Sequence, residues 1–177
     1  MIRERHGTSH GYTMSTISPT AIDERIREIR KIYVQTGEVR SFRDINRGLC
    51  GNFASDVIES FGGSLATRLL DVSPASFQTV VNDGFGDGRP FDRKLLRRFW
   101  PKVIPPLGMT WDHLDQLSEE AGFGNGTHVW LTDERLHYDA ECPQGVENFF
   151  DLPFFRRVID SWRKKRQRAD STAAHTA

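Results

Sequence analysis

Apolar residues recur at helical spacing in several stretches, and the clearest is "SPTAIDERIREIRKIYVQTG", residues 18 to 37. Ile22, Ile26, Ile29 and Tyr33 fall on one stripe, with charges on the other side. Ser18 or Thr20 suits the N-cap, Pro19 the first turn, and Gly37 the stop. "GLCGNFASDVIESFGG", residues 48 to 63, predicts a helix from Cys50 or Asn52 to Phe61. Phe53, Ala54, Val57, Ile58 and Phe61 share its apolar face, and Gly62 and Gly63 end it. "SPASFQTVVNDG", "FDRKLLRRFW" and "TWDHLDQLSEEAG" predict three more helices, the last capped by Thr110 and stopped by Gly122. "DLPFFRRVIDSWRKKRQR" predicts a final one, with Asp151 as its cap and Phe155, Val158, Ile159 and Trp162 as its apolar side.

Period-two alternation marks "THVWLTD" and "RLHYDAE", which together predict a hairpin. A short strand is also expected within "EVRSFRDI". Val129 and Leu131 must face the same core as Leu136, Tyr138 and Ala140, which requires an even-length loop, either "ER" or "TDER". His128, Trp130, Thr132, His137, Asp139 and Glu141 then share the other face. His128 opposes Asp139 with the longer loop and Glu141 with the shorter one. Either pairing brings an imidazole and a carboxylate within reach of a hydrogen bond.

Composition narrows the setting. The chain has 177 residues, formal net charge zero and 37% hydrophobic residues, which suits one soluble domain. The expected layout is a disordered polar tail over residues 1 to 17, a single α+β domain over 18 to 168, and a second disordered tail over 169 to 177. No apolar run reaches the length of a membrane span, and the N-terminus lacks a secretory pattern, so the expectation is a cytoplasmic protein without membrane contact. Two cysteines make no disulfide framework, which leaves Cys50 a free thiol. No phosphate-loop or dinucleotide signature occurs, and the glycines of "NDGFGDGRP" read as a surface loop. No cofactor is expected. A metal site from Cys50, His128, Asp139 and Cys142 is the lesser reading, because close ligand spacing is absent.

Cys50 lies between Gly48 and Gly51 at the start of a helix, where a thiolate is favoured and a substrate can approach. An imidazolium held by a carboxylate would favour the thiolate further. Asn46 is a candidate oxyanion donor beside the Cys50 amide. His137 is a rival base to His128, and Glu141 a rival orienter to Asp139. Trp130 is a candidate floor for a substrate groove, against the simpler reading that it packs in the core. A small buried cysteine and a strand histidine bonded to a carbonyl are the plain alternatives to a nucleophile and its base.

The order cysteine before a helix, histidine on a strand, and aspartate on the next strand resembles the papain-like superfamily in its broad sense. "RGLCGNFASDV" and "HVWLTDERLHYDAE" are similar to the nucleophile-helix entry and the hairpin of transglutaminase-like thiol enzymes. The glutamine and tryptophan near papain's own nucleophile have no counterpart here. The resemblance implies a nucleophile helix packed on a small antiparallel sheet, with the helix-rich middle as an insertion. It implies Cys50 as nucleophile, His128 as base and Asp139 as orienting residue. A hydrolase or acyltransferase follows, a peptidase, deamidase or transamidase acting on a protein or peptide amide. The hairpin followed by "DLPFF" also resembles uncharacterised phage or mobile-element proteins. The alternative is a non-catalytic binding module on the same scaffold, such as a phage inhibitor or anti-defence protein. The basic end of the last helix reads first as a solvated terminus, with nucleic-acid contact as the weaker option.

Overall fold

The computed structural model describes residues 17–62, 70–72, 100–121, 128–133 and 135–175. The first helix, α1 (Pro19–Gln35), starts as its sequence dictates: Ser18 caps it by accepting from the Ala21 N–H. Ile22, Ile26, Ile29 and Tyr33 are buried along one side, and Gly37 follows the helix with a φ of 78°. Ile17, assigned to the tail, packs against the same core.

The segment expected to hide a strand is helical instead. A single turn, α2 (Phe42–Asp44), runs into a π turn over Ile45–Leu49 and then into α3 (Cys50–Phe61). Cys50 therefore opens α3 from a widened helical turn and not from a loop. Such π turns often mark functional positions, because the extra residue re-aims the side chains on either side. Phe53, Ala54 and Val57 of α3 are buried, and Ile58 and Phe61 pack partly against them.

Four antiparallel strands form the sheet in the order β1 (Leu70–Val72), β2 (Trp130–Thr132), β3 (His137–Asp139) and β4 (Cys142–Val146). The architecture is thus α+β. The hairpin takes the shorter loop, since Leu131 pairs with Tyr138 and Thr132 with His137. Asp133 explains the choice. Its Oδ1 accepts from the N–H groups of Arg135 and Leu136 at 3.0 and 2.7 Å, which closes a tight turn. Its Oδ2 takes the Tyr138 hydroxyl at 3.0 Å, tying that turn to β3. The strand expected to run through Glu141 stops at Asp139. Ala140 and Glu141 make a turn into β4, where Gly145 has a φ of 74° and a Cβ would meet the Tyr138 ring at 2.6 Å.

The sheet separates two cores. Leu131, Tyr138 and Ala140 face α1 and α3, as the alternation requires. The opposite face, expected to be polar, is also covered. Trp130 and Cys142 pack there with Leu114 and Leu117 of α4 (Trp111–Ala121) and with Phe149, Phe150, Phe155, Ile159 and Trp162. Thr110 caps α4 reciprocally: its hydroxyl accepts from the His113 N–H, and its own N–H donates to His113 Nδ1.

The last helix, α5 (Pro153–His175), begins after a 3-10 turn over Phe149–Asp151. Asp151 is not its cap. It ends the 3-10 turn and pairs with Arg156 at 3.1 Å, because Pro153 opens the helix two residues later. The helix also passes the expected boundary at 168, so residues 169 to 175 are helical. The helices expected in "SPASFQTVVNDG" and "FDRKLLRRFW", and the loop "NDGFGDGRP", lie outside the described residues apart from Trp100. No helix among the described residues is long and apolar enough to cross a membrane.

Candidate active site

The start of α3, the entry to β2 and the end of β3 meet at one place. His128 Nε2 lies 3.3 Å from Asp139 Oδ2, and both side chains are essentially inaccessible. In the observed register His128 is aligned with Glu141, so its bond to Asp139 is diagonal across the hairpin. Diagonal neighbours are within reach of long side chains. Asp139 can lean that way because its other oxygen is anchored: Oδ1 accepts from the N–H groups of Glu141 and Cys142 at 2.9 and 2.8 Å.

Cys50 sits on the other side of the imidazole and is half-buried. The Val129 N–H donates to Sγ at 3.4 Å, which ties α3 to the strand that follows His128. With Nε2 committed to Asp139, Nδ1 is the ring nitrogen left for the thiol, and it is buried and makes no hydrogen bond. Burial alone pushes the thiol up. The His128 ring and the N–H groups of Val129 and Gly51 outweigh it, so Cys50 is held below its ordinary value. Burial likewise pushes His128 down, but Asp139 and Cys50 reverse this and raise it. Both shifts favour a thiolate–imidazolium pair. A Cβ at Gly48 would meet nothing within 4 Å, and one at Gly51 only the Val129 side chain at 4.0 Å, so packing does not require either glycine.

The rival candidates separate. Glu141 does not orient His128. Its carboxylate faces away, paired with Arg157 at 2.8 and 2.5 Å and accepting from Asn46 Nδ2 at 3.0 Å. Asn46, expected as an oxyanion donor, thus turns its amide nitrogen onto Glu141. His137 is not a base for Cys50. It accepts from Trp130 Nε1 at 3.1 Å through Nδ1, and burial pushes its pKa down to about 4, which keeps it neutral. Trp130 floors no groove. It is 2% exposed, with Phe149 and Phe155 against its ring. Cys142 is a buried thiol with a pKa raised to about 11 by desolvation, and both cysteines are free. Among the described residues no cluster of three or more histidine, cysteine and acidic side chains could hold a metal ion.

Other residues at the site escaped the sequence reading. Phe154 of α5 stacks on His128, with ring centroids 4.2 Å apart and planes 20° from parallel. Arg30 of α1 donates to the Ala140 carbonyl at 2.9 Å, and Arg157 of α5 holds Glu141. So the Ala140–Glu141 turn is pinned by α1, by the π turn and by α5 together. A long-range contact of this kind leaves no local pattern; the adjacent aromatics of "DLPFF" were the one available signal for Phe154. Compared with known proteins, the chain matches no family model, no curated protein and no solved structure.

Proposed function

We propose that the chain is a cysteine-dependent hydrolase or acyltransferase with a papain-like or transglutaminase-like core, acting on a protein or peptide amide. The observation that carries this is a buried imidazole bonded to a buried carboxylate, with a half-buried thiol tied to the residue next to that imidazole. In the proposed reaction the Cys50 thiolate attacks the acyl carbon. The C–N bond breaks, and His128 gives its proton to the departing amine. The neutral imidazole then takes a proton from water, or from an acceptor amine, as that nucleophile cleaves the thioester and returns Cys50 to its thiolate. Asp139 keeps the Nε2 side of the ring protonated and stabilises the imidazolium.

The pH dependence of Cys50 alkylation tests this directly. Cys142 is buried and raised to about 11, so it stays silent at neutral pH. The expected profile has a midpoint below 9.0 that moves up in His128→Ala. A midpoint at the ordinary value in the wild type would overturn the proposal. It would favour the second reading, a binding module on the same scaffold, to which the complete burial of His128 lends support. Partner capture with Cys50→Ala would then be the informative experiment.

A further inference from the structure

Asn46 holds a buried acceptor that the fold does not satisfy. The residue is 1% exposed, and its Oδ1 has no hydrogen-bond partner. Buried carbonyl oxygens are rarely left this way, because each forfeits its hydrogen bond to water. The orientation of the carboxamide is fixed by chemistry. A carboxylate only accepts, so Nδ2 must face Glu141 and Oδ1 must turn away from it. Glu141 is itself held by the two-pronged bond from Arg157. The carboxamide therefore has no freedom to exchange its two ends.

Asn46 also stands in a particular place. It belongs to the π turn that delivers Cys50, four residues upstream. Hydrogen bonds in such a turn span five residues, so residues four apart are nearly one turn apart and share a side of the helix. His128 Nδ1 is another buried polar atom without a partner, on the ring that acts on the same thiol.

We propose that Asn46 Oδ1 accepts an N–H of the substrate, and that the Arg157–Glu141 pair positions it to do so. The inference rests on the proposed function and narrows its substrate class: the site selects amides that carry an N–H over esters, thioesters and tertiary amides. A substrate N–H would satisfy the stranded oxygen. An ester would leave it stranded, and a site built for a hydrogen bond rejects the analogue that lacks it.

Two matched alkylating agents test this, 2-chloroacetamide and N,N-dimethyl-2-chloroacetamide. Each rate constant for Cys50 is divided by that for glutathione, which removes intrinsic reactivity. The 177-residue chain is expected to favour the N–H reagent by about fivefold or more, the worth of one net hydrogen bond. Asn46→Leu should abolish the preference and leave the pH midpoint of alkylation in place; a merely steric bias would survive that change. Glu141→Gln, which frees the carboxamide without removing volume, should weaken the preference and serves if Asn46→Leu does not fold. Equal corrected rates in the wild type, or a preference retained in Asn46→Leu, would overturn the inference. Either result with a low, His128-dependent midpoint leaves the nucleophile standing, whereas a midpoint indifferent to His128 removes the proposed function itself.

Discussion

Two histidines on one face of the hairpin are both fully buried, yet they are driven in opposite directions. His128 is raised and His137 is lowered to about 4. Desolvation is the largest influence on each and pushes both down. The difference lies in what each ring meets. His128 has a carboxylate on one nitrogen and a thiol beside the other, so protonation gains two partners. His137 meets the Trp130 N–H, a donor that an imidazolium would have to surrender. Burial lowers both rings, then, and only at His128 do an adjoining carboxylate and thiol overcome it.

The largest effect should come from removing the acid without disturbing the turn it builds. Asp139→Asn keeps an Oδ1 to accept from the N–H groups of Glu141 and Cys142. It presents a donor to Nε2, so the ring turns to its other tautomer and the imidazolium loses its counter-charge. If the thiol returns to its ordinary 9.0, only about one molecule in a thousand carries a thiolate at pH ~6. Cys50 alkylation at that pH is expected to fall about tenfold for each unit by which the midpoint rises, with the far-ultraviolet spectrum unchanged. An unchanged rate would mean that His128 and His137 do not differ in the way their surroundings indicate.

His137 supplies the next test, through stability. Its folded pKa is depressed from 6.5 to about 4. The unfolded chain therefore binds more protons between these values, and stability present above pH 6.5 is lost as the pH falls towards 4. The full loss across that window is about 3 kcal/mol. His128 has the opposite sign: its contribution is complete below its ordinary 6.5 and is lost as the pH rises through its raised value. Urea unfolding of His137→Gln against the wild type should show a flatter acid limb. A slope equal to that of the wild type would place the acid sensitivity elsewhere.

Much of this contrast was readable in the chain, but not all. The faces of the hairpin followed from Val129, Leu131, Leu136, Tyr138 and Ala140, because burial against α1 and α3 needs period two. The stripes of α1 and α3 followed from their spacing in the same way. The register did not follow, since both even loops satisfy the same alternation, and the choice rests on the Asp133 side chain. The convergence of Cys50, His128 and Asp139 was expected, although as a direct pairing and not a diagonal one. β4 was missed because "CPQGV" contains Pro143 and Gly145 and shows no alternation. Glu141 was misassigned because its partners, Asn46 and Arg157, come from segments 95 and 16 residues away. His137 read as a rival base because its cover, Trp100 and Phe149, comes from outside the hairpin, whereas Trp130 takes the core packing weighed as the simpler reading.

The smallest effect sharpens the comparison most finely, because it concerns the cover and not the partners. Phe154 lies nearly parallel to His128 at 4.2 Å, while His137 is met edge-on by Trp100, with centroids 4.9 Å and planes 79° apart, and by Phe149 at 5.6 Å and 78°. A ring face attracts a cation, at about 0.5–1 kcal/mol where solvent is near and more where it is excluded. The stacked arrangement therefore adds to the preference of His128 for its charged form. Phe154→Leu keeps an apolar cover and removes the π face. The alkylation midpoint of Cys50 is expected to rise by about half a unit, through a less stable imidazolium. The acid limb of the unfolding profile should not move, since His137 does not touch this residue. If the acid limb shifts and the midpoint holds, Phe154 acts only as packing, and the separation of the two histidines rests on Asp139 and Trp130 alone.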